Sequence, residues 1–484
     1  MSESLISRRR KQALPLLGIA VLLHAAAILV CVAAGESLLA GVAATSASVV
    51  FLLIHGWISL SLQSLSLAAC FVTGQLTVFG VFHAIYYHLT DMPRGNYHDV
   101  AAWLAAAMCW STVVGALLAN RLLGPAARND PQAEMPELRS WQALAVTGFV
   151  FGLLVIGMVQ TGFLDARWQY REGSFGLAYV TGGVGYIGYA FFVVLGARLQ
   201  PALLAPRNTV SLVLVALAAV GNALGGGREG SLWIMILFWI GANRSALPPR
   251  TLGTLTSVGA VAGILMMVAV GAARTNRYFA FEPVENRLAS IGREAQGVAS
   301  EDKRRKAYEG LVSRVYQFPA QVVIDQSIAF RREAGFEDFD RLQHLFLPKY
   351  LVPEKKHIEI GREVLVRDYG FRLNDTTSVP ITLLADAFRR GRWTWVVVVG
   401  FLAGVWLRVL ASLTLRVLAP GAAAAVFPML ALLQLRAYAA SVTGFIASVT
   451  YGWAKYVIIV GATFMLARLL TALTDLRDHT RQPT

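Results

Sequence analysis

The chain has 484 residues, of which 56% are hydrophobic and 15% charged, with a mean hydropathy of +0.55 and a formal net charge of +14. That composition excludes an ordinary soluble domain. Several apolar runs reach the roughly 20 residues that a bilayer-crossing helix needs, and backbone in lipid must hydrogen-bond internally, so the expected class is an all-α polytopic membrane protein. The basic excess suits the topogenic charges of an inner-membrane protein better than nucleic-acid binding.

Arg8-Arg9-Arg10-Lys11 precede an apolar run to Gly35. The run exceeds the roughly 7–15 residues of a signal-peptide core, which predicts an uncleaved first span. Ser37–Thr90 contains no Asp, Glu, Lys or Arg and is long enough for two crossings. In chain order the sequence predicts twelve spans, at 13–35, 38–58, 64–87, 100–120, 141–162, 176–197, 208–225, 231–243, 253–273, 393–413, 419–438 and 452–474. The eighth is short and the eleventh contains Pro428, so both are expected to be tilted or broken. Cys31, Cys70 and Cys109 lie in apolar segments without metal-ligand spacing and read as buried hydrophobes.

With the N-terminus inside, the inner connections receive 16 Lys and Arg and the outer ones, the long loop aside, receive 6. This bias places both termini in the cytoplasm. The expected domains are residues 1–273 with spans 1–9, a periplasmic loop domain at 274–392, and residues 393–484 with spans 10–12 and a cytoplasmic tail. The loop holds 21 of the 43 Lys and Arg and 17 of the 29 Asp and Glu. Within it, Asn286–Ser313 and Ile381–Phe388 are expected to be helical. Arg314–Phe330 is apolar enough to lie on the membrane face, and Ile358–Phe371 is expected to be extended or irregular. No repeat of about 20–50 residues is evident.

Gly225-Gly226-Gly227-Arg228-Glu229-Gly230-Ser231 closes the seventh span. Glycines let backbone amides approach an anion, and an arginine adds a forked, permanent charge. The same residues also read as a plain interfacial turn with a snorkelling arginine. Pro348-Lys349, Pro353-Glu354-Lys355-Lys356, Thr377-Ser378-Val379-Pro380 and the helical acid Asp386 precede the tenth span. Together with Gly227–Gly230 these stretches resemble the signatures of the Wzy-type O-antigen and exopolysaccharide polymerases, which join bacterial oligosaccharide repeat units. There are departures. Gly-Gly-Arg-Glu-Gly stands for the usual Gly-Ser-Arg-Gly, Lys349 for an arginine and Asp386 for a glutamate. The cluster Arg389-Arg390-Gly391-Arg392 matches no motif of the family.

The resemblance implies a GT-C-like fold and transfer of a growing glycan from undecaprenyl diphosphate to a sugar hydroxyl on a second lipid-linked unit, at the periplasmic face. Such chemistry needs cations for the leaving diphosphate, for which Arg228, Arg274, Arg277, Arg314, Lys349, Lys355 and Lys356 are candidates, with Thr377 beside them. It also needs a base for the attacking hydroxyl, with Asp386, Asp375, His344 and His357 as candidates. Each has a plainer reading. Arg274 and Arg277 can anchor the ninth span, Arg314 can lie on a solvated face, the histidines can sit at the surface, and Asp386 can pair with Arg390 one turn on. Asp338-Phe339-Asp340 spells a metal-binding Asp-x-Asp, but its charged surroundings read as surface, and no metal or other cofactor is expected. Implied partners are the lipid-linked donor and acceptor, the bilayer, and a chain-length regulator and flippase, with no nucleic acid. Two rival readings stand: an O-antigen ligase, and a flippase or exporter of lipid-linked glycans. An exporter should keep charge deep in its spans, whereas most Arg and Lys here map to span ends.

Overall fold

The computed structural model describes residues 66–76, 78–79, 98–123, 191–202, 204–224, 228–242, 247–273, 318–330, 334–336, 360–372, 381–418 and 420–479, with isolated positions at 189, 245, 285–286, 289–290, 339 and 342. Every regular element among them is helical. The longer helices are α1 (Ser66–Leu76), α2 (His98–Leu123), α3 (Pro206–Leu224), α4 (Arg228–Ala242), α5 (Pro249–Ala273), α6 (Phe318–Phe330), α7 (Ile360–Tyr369), α8 (Leu383–Val417), α9 (Pro420–Arg436), α10 (Val442–Ala447) and α11 (Trp453–His479).

Among the described residues, three stretches are long and apolar enough to cross a membrane: Val100–Leu123, Leu383–Val417 and Val442–Ala462. They occupy the fourth, tenth and twelfth predicted spans, the last starting ten residues earlier than its sequence boundary of 452. Shorter apolar helices cover parts of the third, seventh, eighth and eleventh. The first, second and fifth spans lie outside the described residues, as does Asn286–Ser313 for all but a few positions.

The chain divides into two compact units. The first comprises Met1–Arg128, Ser300–Leu415 and Leu430–Trp453, the second Asn129–Ala299, Arg416–Met429 and Ala454–Thr484. In the first, α2 and α8 meet along small residues. A Cβ on Gly404 would run into the Thr112 carbonyl and lie 2.9 Å from the Ala116 amide, and one on Gly115 would strike the Phe401 carbonyl. Gly400, four residues before Gly404, lies against Met108 in the same seam. This Gly-x-x-x-Gly contact suits helices whose packing draws on van der Waals fit rather than on the hydrophobic effect. Trp103, Trp110 and Leu117 on α2, and Val397, Leu402 and Trp406 on α8, are exposed on other faces. Apolar faces of that size belong against lipid.

The second unit packs α4 between α3 and α5. Ser231 donates to the Ala219 carbonyl at 2.7 Å, and the Trp239 indole donates to Thr256 Oγ1 at 2.6 Å. Each bond satisfies a polar group inside an apolar bundle.

Two expectations change. Residues 358–371 were expected to be extended or irregular, yet Ile360–Tyr369 is helical. Among its described side chains Val364 and Leu365 are buried in the first unit, while Glu363, Arg367 and Asp368 keep part of their surface exposed. The break expected in the eleventh span is not at Pro428, which α9 accommodates within its length. The chain instead departs from helix after Arg436, through a 3₁₀ turn at Ala437–Ala439 and extended backbone at Ala440 and Ser441.

Candidate functional site

The site forms at the head of α8, where the sequence reads Thr382-Leu-Leu-Ala-Asp-Ala-Phe-Arg-Arg-Gly-Arg392. Thr382 Oγ1 accepts from the Ala385 amide at 3.2 Å, and the Thr382 carbonyl accepts from the Asp386 amide at 3.0 Å, which starts the helix. Thr382 pays for this with a φ of 64°, an uncommon conformation for a β-branched residue. Nine residues later the helix bends. Gly391 sits at φ −172°, ψ 34°, and Arg392 at φ 58°, ψ −145°, a region that residues bearing a Cβ rarely enter. A Cβ at Gly391 would strike the Trp395 indole, which leaves that position to glycine. All of Leu383–Arg390 is buried, the charged residues included.

Asp386 is the centre of this short helix and is fully buried. Its Oδ1 accepts from Arg389 Nε at 2.6 Å and from Arg390 Nε at 3.2 Å, and its Oδ2 from Arg390 Nη2 at 3.4 Å. The spacing of three and four residues brings both arginines back over the acid on one helix face. Oδ2 also accepts from the Val442 backbone amide at 2.7 Å, so this carboxylate caps the first turn of α10 from another element. Ser441, the N-cap, accepts from the Gly444 amide at 3.0 Å and shares a hydrogen bond of 3.1 Å with Thr443.

The arginines are fixed from their far sides as well. Arg389 Nη1 lies 3.5 Å from Asp368 Oδ2 at the end of α7, and the Arg389 carbonyl accepts from the Ala334 amide at 2.8 Å. Arg390 Nη1 donates to the Gly335 carbonyl at 2.9 Å, and its guanidinium lies 5.8 Å and 5.1 Å from the ring centroids of Phe336 and Phe339. Phe336 packs 4.9 Å from Trp395, across the bend. Tyr369, beside Asp368, shares a 3.1 Å hydrogen bond with Ser327 of α6. Burial pushes its phenol up from the ordinary value, partly countered by that bond and by Arg389.

Of the residues singled out by sequence, Asp386 is the one whose side chain is described. The plainer reading offered for it, a bridge to Arg390, is present, with Arg389 joining it. Arg228 begins α4. Arg274, Arg277, Arg314, His344, Lys349, Lys355, Lys356, His357, Asp375 and Thr377 lie outside the described residues. Arg389, Arg390, Asp368 and the Val442 amide were not picked out for roles. An acid followed at three and four positions by arginines, inside an otherwise apolar helix head, is the sequence signal that marks the first two. No group of His, Cys, Asp and Glu able to hold a metal ion occurs among the described residues.

The fold and site define a helical protein with helices long and apolar enough to cross a membrane and a charged cluster enclosed at the head of one of them. No protein-family model matches the chain, and comparison with curated proteins and with solved structures gives no match.

Proposed function

We propose that the chain is a multi-pass inner-membrane glycosyltransferase that polymerises undecaprenyl-diphosphate-linked repeat units into O-antigen or exopolysaccharide on the periplasmic face. The observation that carries this reading is the enclosed trio at the head of α8, where two permanent cations face one buried acid. Ionisable groups enclosed away from water at the end of a membrane-crossing segment are costly and point to a functional site. Guanidiniums held in low dielectric are strong partners for an anion, and a lipid diphosphate supplies one. The strained backbone on both sides of the trio, at Thr382 and Arg392, supports a site rather than a plain span end.

In this reading Asp386 holds the two arginines and α10 in place. Its oxygens are already engaged by two guanidiniums and one amide, so the base falls to Asp375, His344 or His357 in the charged segment. The cation candidates read from the sequence, Arg228 among them, are assigned to the diphosphate in their own right.

The test is made in cells lacking the gene. Single repeat units should remain on the carrier outside the cytoplasmic leaflet, and the wild-type chain should restore long polymer whereas Arg228→Ala and Arg390→Ala should not. Long polymer stranded on the carrier would instead indicate a ligase. Units trapped on the cytoplasmic leaflet would indicate a flippase.

A further inference from the structure

The break between α9 and α10 lies inside the first unit beside two amides that the trio does not use. Gln75 of α1 is fully enclosed, and among the described residues neither its Nε2 nor its Oε1 has a hydrogen-bond partner. Gln434 of α9 is buried, and its Oε1 also has none. The two residues are close in the fold, because each neighbours the point where the helices touch. A Cβ on Gly74 would run into the Leu435 carbonyl and sit 3.3 Å from the Leu435 Cα. Phe71, one turn earlier on α1, packs 5.4 Å from Phe445 of α10, so α1 spans the break itself.

Non-helical backbone at membrane depth is tolerated where protein encloses it or where it borders a polar cavity. Here the break is followed at once by Ser441, Thr443 and the Val442 amide held by Asp386. Asp386 thus reaches this break directly, through the Val442 amide.

We infer that Gln75 and Gln434 form a subsite for the hydroxyl groups of a sugar, the neutral part of the lipid-linked substrate whose diphosphate meets the arginines. The proposal rests on the glycosyltransferase reading. The choice of hydroxyl follows from the count of donors and acceptors. The unpartnered atoms are two carbonyl oxygens, which accept, and one amide nitrogen, which donates. A phosphate only accepts and would leave both oxygens facing its lone pairs. An ammonium only donates and would leave the amide nitrogen unmatched. A hydroxyl does both, and adjacent hydroxyls on a sugar ring do so at the spacing of neighbouring side chains.

The experiment compares two lipids on full-length protein in nanodiscs: the lipid-linked saccharide extracted from producing cells, and undecaprenyl diphosphate without sugar. Wild-type protein should bind the saccharide-bearing lipid at least tenfold more tightly than the bare carrier. Gln75→Met with Gln434→Met keeps side-chain length without the amides and should bind the two alike. Gln75→Asn, which retains the amide on a shorter arm, should keep part of the preference and serves where the Met pair fails to fold. Met variants that keep the wild-type preference overturn the inference and leave the glycosyltransferase reading standing. If those same variants lose heat stability, the amides hold structural water only. Wild-type protein with no preference for the saccharide overturns both.

Discussion

Replacing Asp386 with alanine should be among the most damaging single changes to the first unit. The change leaves Arg389 and Arg390 buried at 2% and 3% exposure without the carboxylate between them, and it orphans the Val442 amide at the start of α10. Removing one member of a buried ion pair costs about 3–5 kcal/mol, mostly because the remaining charge stays desolvated. An unsatisfied buried N–H adds a contribution that overlaps with this, giving a total on the order of 4–6 kcal/mol. Asp386→Asn keeps an acceptor near Val442 but not the charge, and should cost roughly half as much. Removing acid and cations together, as in Asp386→Leu with Arg389→Leu and Arg390→Met, should recover most of the loss, since an apolar replacement of a buried cluster is often neutral. The assay is denaturant unfolding of the purified protein in mixed micelles, run as a double-mutant cycle between positions 386 and 390. Additive effects within about 0.5 kcal/mol, or a loss below about 1 kcal/mol for Asp386→Ala, would refute the account.

Other changes test the surrounding structure. Gly404→Val forces side-chain atoms against the Thr112 carbonyl and should destabilise the α2–α8 seam by about 2–4 kcal/mol, read by the same unfolding assay. Arg392→Gly relieves the backbone at φ 58° but gives up the contact of the guanidinium with the Phe388 ring at 5.4 Å; a net gain of about 1 kcal/mol in stability with reduced polymer synthesis is expected. Tyr369 has its folded-state value raised above the ordinary 10, so its contribution is complete below that pH and is lost as pH rises through the higher folded value. Stability measured from pH 9 upward should therefore fall less steeply in Tyr369→Phe, which should also lose about 0.5–1.5 kcal/mol at neutral pH with the Ser327 bond.

Hydropathy located the membrane-crossing helices because length and apolar run are direct consequences of bilayer thickness. Residues 100–123 follow it closely, 383–417 run past both ends of the expected 393–413, and 442–462 lie about ten residues ahead of the expected 452–474; the helix expected at 381–388 starts at Leu383. The position of the break in the eleventh span was not legible. Proline signals a missing donor, but in a membrane helix neighbouring groups absorb that loss, and α9 runs through Pro428. The interruption at 437–441 contains neither proline nor glycine, and it is held by Ser441 and by a carboxylate 56 residues upstream. The helix at 360–369 was obscured for a related reason. Its charges read as solvated loop, and its short buried edge acquires meaning only once α6 lies beside it. In the site, Asp386 was visible as a helical acid, and its pairing with Arg390 followed from spacing alone. The burial of Arg389 and Arg390 was not visible, since arginines before a span ordinarily lie at the headgroup level.

The tie between Asp386 and the Val442 amide has a mechanical meaning. One carboxylate joins the stub ahead of the bend in α8 to the leading end of α10, while Arg390 reaches the other way to the Gly335 carbonyl. A shift of the 334–336 segment would therefore pull on α10 through two side chains and a single turn of helix, with no slack between them. The rod beyond Gly391 is pinned along its own glycine seam, so the displacement would be absorbed at the bend. Residues 383–390 thus link the 334–336 segment to the start of α10.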